Sequence, residues 1–129
     1  MLSPETSAWL FAVAAMAATG LHLLLILGAP IGYMTLAGQN PGVLPPKARM
    51  ASLFQAVLVL SMAAVVLKAG GVIAGPPLSG QRWLMWGIVA ISALSLIANT
   101  ITPSRKERWF GMPVGAAMLI GSLGVALGG

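Results

Sequence analysis

The sequence predicts an all-α fold, an antiparallel four-helix bundle integral to a membrane, and three observations carry that expectation. Hydrophobic residues fill 58% of the 129 positions and charged residues only 7%. A soluble domain carries roughly 25% charged residues, so this chain cannot assemble a water-facing surface. The apolar residues gather into four runs near bilayer length, about 20 residues being needed to cross a hydrocarbon core of about 30 Å. Between the runs stand segments rich in glycine, proline and cations, which read as turns and topology signals. A chain this short holds one transmembrane domain and little else.

The first span is expected over residues 7–27, after Pro4 and Glu5 and before the breaker Gly28-Ala29-Pro30. Its apolar run is too long for a signal-peptide core and has no Lys or Arg ahead of it, so it reads as a retained helix. Ala8, Ala12, Ala15, Thr19 and His22 recur at helical period, and this face of small and polar side chains is expected to meet the other helices. The segment 28–49 follows, the only long connection in the chain. Loops of this length inside a compact domain are uncommon and more often functional. It is expected to fold back into the mouth of the bundle, with Tyr33, Gln39 and Asn40 as contact candidates.

The second span is expected over residues 50–67, with Ser52 and Gln55 near the loop and bonded to its backbone. A short uncharged turn leads to Arg82, Trp83 and Trp86 and a third span over residues 83–101, the tryptophans marking an interface. Ser92, Ser95, Asn99 and Thr102 lie three or four residues apart, forming a polar stripe toward the bundle. In the connection 103–111, Ser104 and Glu107 have capping-box spacing, which suggests a short interfacial turn before Pro113 opens the last helix. That last span, over residues 112–128, places Ala117, Gly121, Gly124 and Gly128 on one face, where small residues let a neighbouring backbone approach.

Five cations, Lys47, Arg49, Arg105, Lys106 and Arg108, lie in the two connections 28–49 and 103–111, against Lys68 and Arg82 on the other side. The positive-inside rule therefore places those connections in the cytoplasm and both termini outside. The net charge of +5 is divided among helix ends, not gathered on one accessible stripe, so it does not point to nucleic acid. Its expected partners are membrane lipids, another membrane protein or a second copy. Arg105, Lys106 and Arg108 are placed to hold an anionic headgroup or a docking partner, beyond setting topology.

Gly28-Ala29-Pro30 with Gly32, Gly38, Gly42-x-Leu44-Pro45, Arg49, and later Asn99, Ser104, Glu107, Arg108 and Pro113 together resemble an uncharacterised family of small bacterial inner-membrane proteins. The resemblance spans most of the chain. One departure is Ala37, where that pattern often has a second glycine. It implies a four-helix fold in the bacterial cytoplasmic membrane and carries no catalytic residue with it.

The chemical inventory is sparse. Cysteine is absent, aspartate is absent, and Glu5, Glu107 and one histidine are the only carboxylate or imidazole side chains. The two carboxylates belong to opposite membrane faces in this topology, so neither a carboxylate pair nor a three-ligand metal centre is expected. No carboxylate is expected within a span, which disfavours a proton-coupled exporter. The function expected is therefore non-enzymatic: an accessory or self-associating membrane component.

Two alternatives stand beside it. A small-molecule or lipid carrier or pore would use the polar stripe on the third span, Ser92, Ser95 and Asn99, and the mouth formed by the loop, with Gln55 as a further contact candidate. A haem or chlorophyll-type pigment carrier would use His22 as axial ligand. For His22 the simpler reading, a neutral imidazole bonded across helices to Ser95, Asn99 or a loop carbonyl, is preferred. A filled bundle would count against the carrier, and a polar cavity between the spans would favour it.

Overall fold

The computed structural model describes residues 2–128. It contains four helices, α1 (Pro4–Ile26), α2 (Pro46–Ala69), α3 (Gln81–Ile101) and α4 (Arg105–Gly128), and no strand among the described residues. Each helix is long and apolar enough to cross a membrane. Two 3-10 turns, Gly32–Met34 and Leu36–Gly38, shape the loop between α1 and α2.

The helix starts follow local capping chemistry. Ser3 accepts the Thr6 N–H at 3.1 Å and Pro4 occupies the first turn, where its missing donor costs nothing. Pro46 opens α2 in the same way. The largest difference from the sequence reading is at α4. Instead of a separate interfacial turn and a helix opened by Pro113, one helix starts at Arg105 and carries Pro113 in its interior. Ser104 explains the early start, because its Oγ accepts the Glu107 N–H at 3.3 Å and satisfies an otherwise orphaned donor.

α1 packs along both α2 and α4, and α4 packs along α3, whereas α2 and α3 barely meet. Around the bundle the order is therefore α2, α1, α4, α3, with one loose seam. Gly70 at the end of α2 and Gly128 at the end of α4 both lie against Pro4 in the first turn of α1, so these neighbours are antiparallel. The buried face of α1 is the expected one: Ala8, Ala12, Ala15 and Thr19 are all enclosed. The main core joins Phe11 and Ala15 to Val59, Met62 and Val66 of α2, Ile88 of α3, and Met118 and Val125 of α4.

Glycine decides where α4 closes on its neighbours. A Cβ at Gly121 would stand 2.7 Å from the Ser7 carbonyl oxygen, and one at Gly124 would stand 2.6 Å from Ser7 Cβ. Ala117, half-buried one turn earlier, packs against the same core. The expected small-residue face is thus taken up inside the bundle, against α1. A second pair, Gly111 and Gly115, lies against Asn99 and Leu96 of α3. Ten residues at about 100° each separate Gly111 from Gly121, which puts the two contact faces about 80° apart around α4.

Candidate binding cavity

The loop after α1 folds onto the bundle in several fixed steps. Leu44 and Ala48 pack with Leu25 in a small core of their own. Arg49 donates through Nε to the Leu44 carbonyl at 3.0 Å and lies against Gly28, tying the two ends of the loop together. The Gly32 N–H donates to the Gly42 carbonyl at 2.9 Å, and the Asn40 and Gly42 carbonyls leave no space for a side chain at Gly32.

The tip of the loop then docks on the first turn of α4. Ser104 Oγ donates to the Tyr33 carbonyl at 2.5 Å, and the Ala37 N–H donates to Glu107 Oε2 at 2.9 Å. Glu107 therefore does not complete the expected capping box by reaching back to Ser104, whose N–H goes to Thr102 Oγ1 instead. Leu36 and Ala37 hold left-handed backbone, φ 50° and 56°. Left-handed backbone costs an ordinary L-residue roughly 1–2 kcal/mol.

Beneath that tip is a cavity of about 240 Å³. α2 and α3 form its sides, α1 and α4 its back, and Met34, Thr35 and Leu36 cover its end. The least closed side of the bundle beside it is the loose seam between α2 and α3. The polar wall consists of His22, Gln55, Ser92, Ser95, Asn99 and Glu107. Along α2, Gln55 gives way to Leu58 and Met62 deeper in the cavity, about 10 Å from Gln55 to Met62 at helical rise. The cavity is thus polar toward the loop and mostly apolar below.

Several polar atoms in this wall have partners. His22 Nδ1 lies 3.3 Å from Ser52 Oγ, which corrects two expectations: His22 pairs with α2 and not with Ser95, Asn99 or the loop, and Ser52 faces α1 and not the loop backbone. The reason is that α1 and α2 are closely packed whereas α3 stands across the cavity. Asn99 Nδ2 donates within its own helix to the Ser95 carbonyl at 2.9 Å. Ser92 is different: its side chain is 1% exposed and its Oγ has no hydrogen-bond partner among the described residues. Ser7 Oγ is also unpaired, but it is pressed against Gly124 in a closed seam. Ser92 borders the cavity, with its Oγ enclosed by the protein.

The remaining candidates lie elsewhere. Tyr33, half-buried, contributes its carbonyl to loop docking; Gln39 is exposed and Asn40 half-buried, and none of the three lines the cavity. Arg108 Nη1 donates to the Thr102 carbonyl at 2.9 Å at the end of α3, while Arg105 and Lys106 are exposed. A second hollow, of about 650 Å³, opens at the opposite end beside the exposed Arg82 and Trp86.

Sequence reasoning missed Met34, Thr35, Leu36 and Glu107 as cavity residues. For Glu107 a signal existed, a lone carboxylate inside a run of cations. Its capping-box spacing supplied a sufficient local explanation and hid the longer contact. No group of three or more His, Cys, Asp or Glu side chains converges among the described residues. No family model, curated protein or solved structure matches the chain, so the functional reading rests on this geometry.

Proposed function

We propose that this is a membrane-embedded binding protein or carrier for a small amphipathic molecule, which reaches the cavity from the bilayer between α2 and α3. The carrying observation is the division of the cavity wall, with His22, Gln55, Ser95, Asn99 and Glu107 toward the loop and Leu58, Met62 and Met118 below. A polar end above an apolar floor suits a molecule with a polar head and an apolar body. Covering of the polar end by the loop favours sideways admission, and sideways admission selects molecules that already partition into lipid.

The pigment reading finds less support. Binding sites for drug-sized ligands span roughly 300–1,000 Å³, and this cavity is smaller, so a macrocycle beside His22 would require α2 and α3 to part. The accessory-component reading retains one specific observation, the exposed Arg105 and Lys106 beside the docked loop, which suit an anionic headgroup or an acidic partner surface. In this proposal the protein sits in a bacterial cytoplasmic membrane with that basic face inside. A cysteine at position 106 should then resist membrane-impermeant labelling in intact cells, and ready labelling would reverse the orientation.

Native mass spectrometry of protein extracted gently from its own membrane tests the carrier reading. The expected result is a discrete adduct mass that Ser92→Leu removes by filling the cavity. Bare polypeptide, or an adduct indifferent to Ser92→Leu, would reject it.

A further inference from the structure

Resting on the cavity reading above, we infer that the ligand's polar group is a protonated amine on an alkyl chain: an alkylammonium amphiphile, held by Glu107 with its tail directed through the seam between α2 and α3. The chain holds seven Lys and Arg and only two acidic residues. One of those two lines the cavity, and no Lys or Arg does. In a protein of net charge +5 the cavity is therefore biased against the overall sign.

The cations nearest in sequence are directed elsewhere. Arg108 is bonded to the Thr102 carbonyl, and Arg105 and Lys106 are exposed. The Glu107 carboxylate accepts one hydrogen bond, from the Ala37 N–H. An ionised carboxylate has about four acceptor positions, so most of its capacity remains. An ammonium group carries three donors and no acceptor, a match for a wall that also offers the oxygen atoms of Gln55, Ser95 and Asn99. An anionic head would meet Glu107 with no compensating cation in the lining.

The depth profile supplies the tail. Leu58, Met62, Ile91 and Met118 line the cavity away from Glu107. Its volume of about 240 Å³ takes a head and a few methylenes, and the rest of a chain must leave through the seam into lipid.

The test uses three probes with one chain length: dodecylamine, dodecanol and dodecanoic acid, offered separately to the full-length protein in nanodiscs at neutral pH and counted as retained adducts by native mass spectrometry. Retention of the amine should exceed that of the other two by about tenfold, the usual gain of a charged over a neutral hydrogen bond. In Glu107→Gln that preference should vanish while dodecanol retention holds, since the glutamine carbonyl still accepts the Ala37 N–H and keeps the loop docked.

Equal retention of all three by the wild type, or preference for the acid, would overturn the ammonium assignment, and its loss in Ser92→Leu would leave the cavity reading standing. Retention of all three that is indifferent to Ser92→Leu would overturn both. The wild-type ranking decides the charge question even if the Glu107 variant does not fold.

Discussion

The seam between α1 and α4 is closed on glycine, whereas the seam between α2 and α3, to which α2 brings no glycine, is loose. Along the first, Gly121 and Gly124 leave no space between α4 and the backbone of Ser7 and Phe11. Along the second, the one glycine of α3, Gly87, has nothing within contact distance of a would-be Cβ. Glycine permits close approach only where a partner backbone arrives to use it. In lipid there is little hydrophobic drive between helices, so helix pairs close where small residues let backbones meet and interlock. α2 and α3 lack that fit, and the gap left over is the cavity.

Substitutions at the two seams should therefore diverge. Gly124→Leu has the largest expected effect, about 3 kcal/mol of destabilisation by overpacking, read from the denaturant midpoint of the solubilised protein. An unchanged midpoint would mean that α1 and α4 part easily. Gly111→Ala should cost about 2 kcal/mol for the same reason, since Asn99 occupies the position of the added methyl.

At the loop tip, Ala37→Gly should add about 1 kcal/mol by relieving left-handed backbone; a loss would show that the loop is not docked as described. In the double-mutant cycle of His22→Ala and Ser52→Ala, the coupling should be about 0.6 kcal/mol, the average for polar pairs between membrane helices. A coupling of zero would remove the one polar link described between α1 and α2. Smallest is Gly87→Ala, where helix propensity alone should give a gain of about 0.5 kcal/mol. Destabilisation there would indicate a neighbour packed against the open face of α3.

What was legible in the sequence divides along the same line. The four helices could be read because hydrophobic length and turn chemistry are local properties: the runs around His22, Val59, Ser92 and Gly121 declare themselves without reference to one another. The buried face of α1 was also legible, because Ala8, Ala12, Ala15 and Thr19 share a helical period. The cavity was not, since it depends on which faces remain unpaired after the others have closed. Gly111 and Gly115 have the same spacing as Gly124 and Gly128, and nothing local tells which neighbour each pair meets. Glu107 and Ser52 were misread for a related reason, each having a plausible partner nearby in sequence and an actual one on another element.

The loose pair is also a lever. α2 and α3 are joined by the short connector 70–80 at the end farthest from the docked loop. The 21 residues of α3 span about 31 Å at helical rise. A rotation of about 10° about that connector would part the far ends by about 5 Å, leaving the connector almost where it was. The widest movement falls beside Asn99 and Glu107, and the bonds that oppose it there are those from the loop tip to Ser104 and Glu107.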